Sequence, residues 1–187
     1  GGLGDFSFGL GWNVFNQKKD DTKPTWTLRF EYTAPTATML TESAGPSWLC
    51  DVNVLVALTL STHVHHRAAH AALREHAGTW QTTPITESAL VRLLLNPQVT
   101  GRTFPAHEVV AVVRGLRADP RWRWLADEST LVDPVIDMTV LVGHRQVTDL
   151  HLVNLAARSG SLLVTFDAGI VAAVAPADRR HIHVLPQ

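Results

Sequence analysis

The stretch VTDLHLVNLAARSGSLLVTFD (147–167) decides how this chain folds. Its first half carries apolar residues at helical spacing and reads as a helix over 148–158, stopped by Ser159 and Gly160, a C-terminal signal. An apolar run, 162–166, follows at once and reads as a strand, and Asp167 stands at its end. A helix feeding a buried strand with an acid at its exit is a unit of an α/β sheet, whose ligand rim lies at the carboxyl ends of its strands.

Working outward, the same grammar recurs from Trp48 onward. Trp48, Leu49 and Cys50 form an apolar strand ending at Asp51, and the run to Thr62 reads as a loop entering a helix that ends near Gly78. A short β-like piece, 80–82, precedes Pro84, which suits the first turn of a helix reaching about Leu95. Further helices are expected over 105–118 and over 129–143, the latter with Pro134 in its opening turns. Strands are expected at 122–125 and 182–185, with a short helix from Ala168. Alternating strands and helices imply a mostly parallel sheet covered on both faces.

The first 46 residues differ. Phe6, Phe8, Leu10, Trp12 and Val14 alternate with small or polar residues, and Trp26, Leu28, Phe30 and Tyr32 do so again beyond the polar stretch 16–24. Period two on both sides of a turn reads as a β-hairpin. It is weakly similar to strands of outer-membrane barrels. The linker 33–47 carries Pro35, Gly45 and Pro46, and the chain opens on Gly1. We therefore expect residues 1–46 to be an appended hairpin-like extension, from a gene fusion or an upstream reading frame, and 47–187 to be the working domain. A regulatory extension is the alternative.

Four acids occupy strand exits or helix starts: Asp51, Glu87, Asp149 and Asp167. Each by itself is commoner as a cap than as a ligand. Together they suit a hard cation such as Mg2+ or Mn2+, because carboxylates gathered without one repel each other. Asn53 either orients this acidic site or caps the loop. Thr148 reads as an N-cap with a supporting hydrogen bond to the site as a further role, and Thr165 lies close to Asp167 in sequence.

The stretches LCDVNVLVAL (49–58), TPITESALVRLL (83–94) and VTDLHLVNLAARSGSLLVTFD (147–167) resemble the PIN domain, and specifically the VapC toxins of bacterial toxin–antitoxin pairs. The resemblance covers about three-quarters of the chain, and the last block is its most specific part. It implies a three-layer α/β/α PIN-like fold with a central mostly parallel sheet. It implies a Mg2+- or Mn2+-dependent endoribonuclease acting on RNA of the tRNA or rRNA class, with Asp51, Glu87, Asp149 and Asp167 as catalytic and metal-holding residues and Asn53, Thr148 and Thr165 in support. A VapB-like antitoxin and a homodimer are implied as partners. The alternative within the family is an RNA-binding or regulatory PIN module without turnover.

Composition narrows the field. Sixteen Lys and Arg against seventeen Asp and Glu give a net charge of −1, so RNA contact must come from local patches rather than bulk charge. Arg114, Arg117, Arg121 and Arg123, with Arg179 and Arg180, are candidates for such patches or plain solvated arginines. The single cysteine, Cys50, lies in an apolar run; it excludes a disulfide framework, suits core packing, and fits the cytoplasm. No apolar run is long enough for a transmembrane helix, so no membrane role is expected. His63, His66 and His70 share one helical stripe beside His65, but no HExxH occurs and Glu75 is badly placed, favouring a structural role over zinc. Asp133 and Asp137 read as a solvated helix face, and Ser88 belongs to no triad motif. A phosphotransfer fold would want a second acid where Asn53 stands and a spaced lysine, yet Lys18, Lys19 and Lys23 are the only lysines.

Overall fold

The computed structural model describes residues 45–187 and, of the N-terminal part, the backbone of two strands. Chain contacts divide it into two compact units, 1–41 and 42–187. In the first unit, β1 (Phe6–Asn13) and β2 (Thr27–Ala34) pair antiparallel in the register Phe6 with Ala34 to Asn13 with Thr27. The expected turn at 16–24 lies outside the described residues, as does most of the expected linker.

The second unit runs β3 (Trp48–Cys50), α1 (Val52–Thr59), α2 (His66–Glu75), β4 (Trp80–Thr82), α3 (Pro84–Leu94), α4 (Pro97–Thr100), α5 (Ala106–Arg117), β5 (Trp122–Trp124), α6 (Val147–Ser159), β6 (Leu162–Thr165), α7 (Gly169–Ala173) and β7 (Ile182–Val184). Three 3-10 turns intervene, at Met138–Val140, His144–Gln146 and Pro176–His181. The five strands of this unit form one parallel sheet in the order β5-β4-β3-β6-β7. After β3 the chain moves to one side through β4 and β5, then returns on the other through β6 and β7. The strand order therefore reverses at the β3–β6 junction, where α/β sheets form their ligand crevice.

Alternation along the strands builds two cores. Cys50 and Val164 face the core made with α1, α2, α3 and α5; Leu49 and Leu163 face the one made with α6 and α7. This is the three-layer α/β/α architecture. Gly160 ends α6 with φ of 69°, a left-handed conformation that a side chain would strain, and lets the chain turn straight into β6.

Two sequence readings are corrected. The segment after Asp51 is the helix α1, not a loop: Val54 to Leu58 are all buried, so its apolar residues surround the helix and show no one-sided period. Conversely, 129–143 is not a helix. Pro134 lacks an N–H and favours an extended Asp133, and the neighbouring donors find side chains instead of i−4 carbonyls. The Val135 N–H donates to Oδ1 of the buried Asn154 (2.8 Å), and the Asp137 N–H to Oδ2 of Asp178 (2.9 Å).

Candidate active site

At the β3–β6 junction the two strands deliver their acids side by side. The Asp51 N–H donates to the Val164 carbonyl (2.9 Å), extending the sheet pairing by one residue before the chain turns into α1. Asp51 is the N-cap of that helix, and its Oδ1 accepts the Val52 N–H at 2.6 Å. Its Oδ2 accepts from Asn53 Nδ2 and from the Thr165 hydroxyl, both at 2.8 Å. Asn53 Nδ2 also donates to Thr165 Oγ1 (2.7 Å), while its Oδ1 accepts the Phe166 N–H (3.1 Å). Thr165 Oγ1 in turn accepts the Asp167 N–H (3.0 Å), and Asp167 Oδ1 accepts the N–H of Gly169 (2.7 Å). Asn53 thus orients the acid and ties the two strand exits together, and Thr165 is its fully buried partner.

The electrostatics of this corner are one-sided. Burial pushes the Asp51 carboxyl above its ordinary value, the bonds from Thr165 and Val52 pull it back, and the charge of Asp167 adds to the rise. Asp149, half-buried in the first turn of α6, is also raised, by burial first and then by Asp51 and Asp167. Three aspartates from three elements therefore repel one another across the sheet's switch point. Cys50, beside Asp51, has its thiol pushed up to about 12 by burial and by that neighbouring charge, which makes it inert as a nucleophile.

Glu87 is held differently. It lies in the first turn of α3, after Pro84, and its carboxylate accepts the Thr82 hydroxyl at 2.6 Å. Both its oxygens are taken by Arg117 from the end of α5, Nε to Oε1 at 2.9 Å and Nη2 to Oε2 at 2.5 Å. This bidentate pair raises the Arg117 guanidinium above its usual value. Trp122 Nε1 donates to Thr82 Oγ1 (2.9 Å), completing the anchorage.

Relatives of this chain are named ribonucleases. Ribonuclease VapC38 of Mycobacterium tuberculosis is 44% identical over 123 residues, spanning 65% of this chain and 86% of the relative. Ribonuclease VapC39 of the same organism is 40% identical over 124 residues, 65% of this chain and 89% of the relative. Ribonuclease VapC44 is 32% identical over 139 residues, 73% of this chain and 98% of the relative. This chain belongs to the VapC family of PIN-domain ribonucleases. No family model matches it.

For a VapC chain the question is then whether its acids suit a hard cation. Among the described residues no three His, Cys, Asp or Glu side chains lie close enough together to hold one ion. The donor chemistry nevertheless fits: carboxylate oxygens whose mutual repulsion a cation would relieve, in a site where Mg2+ characteristically keeps several waters and takes only one or two carboxylates. Glu87 is the acid set apart, by its arginine.

The remaining candidates fall into place around this VapC core. Thr148 is exposed and is not the N-cap of α6; that position is Gln146, because the helix starts one residue earlier. The histidine stripe is structural: His66 Nδ1 meets the Ala57 carbonyl at 2.7 Å and His70 Nε2 the Leu58 carbonyl at 3.0 Å, fastening α2 to α1. His65 stacks on Phe166 with centroids 4.5 Å apart. Arg121 is used internally, donating to the Leu73 (2.9 Å) and His76 (2.6 Å) carbonyls and pairing with Asp119 (3.3 Å). Asp137 caps the Met138–Val140 turn, and Asp133 lies 3.9 Å from Arg158. The sequence reading missed the engagement of Arg117 with Glu87. The signal available was a basic last turn of α5 immediately ahead of a Trp-Arg-Trp strand.

Proposed function

We propose that this protein is the toxin of a toxin–antitoxin pair, a Mg2+- or Mn2+-dependent endoribonuclease hydrolysing phosphodiester bonds in RNA of the tRNA or rRNA class. The observation that carries the reading is that Asp51 and Asp167 leave adjacent strand ends at the sheet's switch point, bridged by Thr165, and that Asp149 at the start of α6 feels the charge of both, with only neutral donors bonded to Asp51. The names of the relatives, all ribonucleases, support the reaction class.

Asp51, Asp149 and Asp167, with Glu87 once Arg117 releases it, would hold the cation directly or through water. When bound, a divalent cation supplies an activated water and stabilises charge on the phosphate. Asn53 and Thr165 keep the Asp51 oxygens aimed, and the neutral donors around it leave its charge intact for a cation. Thr148, exposed beside Asp149, is read as a supporting residue at the rim. A VapB-like antitoxin that inhibits by occupation would place an arginine among these acids, substituting for the metal. We read residues 47–187 as the working domain, a homodimer as the assembled toxin and the cytoplasm as its compartment. Among the described residues no helix is long and apolar enough to cross a membrane.

The alternative, a PIN module that binds RNA or a partner without turnover, has one observation in its favour: the Glu87–Arg117 pair removes one acid from the set. The test is cleavage of total tRNA and rRNA by the purified protein with Mn2+, with EDTA, and by Asp51→Asn with Mn2+. Metal-dependent cleavage lost in the variant supports the ribonuclease; RNA binding without cleavage under every condition favours the module.

A further inference from the structure

The edge strand β5 reads Trp122-Arg123-Trp124, and nothing in the acid chemistry requires it. Trp124 is 45% exposed, the one tryptophan among the prominent apolar exposures of the described residues. Isolated exposed apolar residues are ordinary. This one is built into a structure. The Arg117 guanidinium lies over both rings, 4.8 Å from the Trp124 centroid and 5.1 Å from that of Trp122. The same guanidinium grips Glu87, and Trp122 is pinned through Thr82 to that same carboxylate. Trp122 is thus fixed to an acid of the candidate site by hydrogen bonds through Thr82, and Trp124 is tied to the same acid through the Arg117 guanidinium over its ring.

Two further arginines lie on the same two elements, β5 and α5. Arg123 is exposed, and its Nη1 donates to the Pro120 and Trp122 carbonyls, both 2.7 Å, which keeps its charge at the edge. Arg114 is exposed one turn before Arg117 on α5. On a chain with no net basic charge, a local group of arginines around an oriented aromatic face matches the chemistry of a single strand of RNA: bases stack on the ring, and phosphates meet the guanidinium groups.

We propose that Trp124, oriented by Arg117 and next in the strand to Arg123, is a stacking platform for an unpaired RNA base next to the cleavage site, and that it selects single-stranded or looped substrate. This deepens the ribonuclease reading and rests on it. Trp124 is a specificity-determining residue: it positions substrate and touches no bond that breaks.

The experiment measures binding of a labelled oligoribonucleotide of about ten nucleotides by fluorescence anisotropy in EDTA. It uses the full chain carrying Asp51→Asn, compared with the same chain carrying also Trp124→Ala or Trp124→Phe, with melting curves as the folding control. Trp124→Ala is expected to weaken binding roughly ten-fold or more, and Trp124→Phe to restore most of it. Arg123→Ala should lower the salt slope by about one. In the otherwise native chain with Mn2+, Trp124→Ala should raise KM and leave kcat in place. Undiminished RNA binding by Trp124→Ala, at an unchanged melting temperature, overturns the platform and points the face toward a protein partner instead. If the native chain cleaves RNA in that case, the ribonuclease reading stands without it. Trp124-dependent binding by a chain that never cleaves supports the platform and counts against the ribonuclease.

Discussion

The two sides of the β3 exit treat their acids in opposite ways. Toward β6, Asp51 is surrounded by neutral donors, Asn53, Thr165 and the Val52 N–H, and shares its neighbourhood with Asp149 and Asp167. Toward β4 and β5, Glu87 is neutralised by a bidentate arginine that is itself cushioned on two indole rings. The first corner orients charge without cancelling it, at a cost in stability. The second cancels charge with a group from the protein itself. A site that accepts a cation needs the first arrangement; under the proposed function, the second would supply a further acid once its arginine lets go.

The sharpest way to break this contrast is to remove the first corner's charge. If Asp51 holds the proposed cation, Asp51→Asn should reduce RNA cleavage at least about 100-fold, because the charge stabilisation such an ion supplies is worth several kcal/mol, and Mn2+ titration by calorimetry should show weakened binding. Unchanged Mn2+ affinity in both Asp51→Asn and Asp149→Asn would show that the aspartates do not share an ion.

Next in size is Thr165→Val, which keeps the shape of a fully buried side chain but removes the hydroxyl that serves Asp51, Asn53 and the Asp167 N–H. Leaving buried groups unpaired costs about 1–3 kcal/mol. The melting temperature should fall by several degrees, and Mn2+ affinity should drop on the order of 10- to 100-fold. A variant that melts like the parent and binds Mn2+ as well would mean that the Asp51 oxygens are aimed by the backbone alone.

A smaller effect concerns pH. Because Asp51 and Asp149 hold their protons more tightly when folded, the metal-free protein binds more protons than its unfolded chain as pH rises above the ordinary carboxylate range. Their contribution to stability is present in acid and is lost as pH rises through their raised folded values. Asp51→Asn should flatten that decline and leave the metal-free protein more stable at neutral pH. Denaturant melts from mild acid to neutrality test this, and a variant that follows the parent's slope would show that burial is not straining this carboxyl.

The smallest change is expected from Arg117→Ala. The arginine side chain is 41% exposed, so the loss of the pair should cost at most about 1 kcal/mol. With Glu87 freed, Mn2+ should bind more tightly. Weaker Mn2+ binding in this variant would mean that the arginine positions Glu87 for the ion rather than competing with it.

Much of this was legible in the chain itself, for reasons that differ by region. β6 and α6 were readable because their period, the Ser159-Gly160 stop and the strand's apolar run all agree, and local chemistry suffices to set them. α1 was not: a helix buried on every side carries no amphipathic signature, so Val52 to Thr59 looked like a loop behind Asp51. Residues 129–143 failed in the opposite direction. Their spacing suits a helix, but Asn154 and Asp178, distant in sequence, capture the backbone donors.

The sequence by itself determined the order of the strands and of the helices with clear caps or stops, the four acids at their ends and the resemblance those blocks carry, because caps, stops and apolar runs act within a few residues. Only the tertiary structure decided how the acids divide. Asp51 and Asp167 meet because parallel pairing of β3 with β6 lines up Cys50 with Val164 across more than a hundred residues of chain. Glu87 is claimed by Arg117 because α5 ends beside α3 and lays its last arginine over the β5 tryptophans. Charge partners are chosen by distance in space, and distance in space is what a linear pattern does not contain.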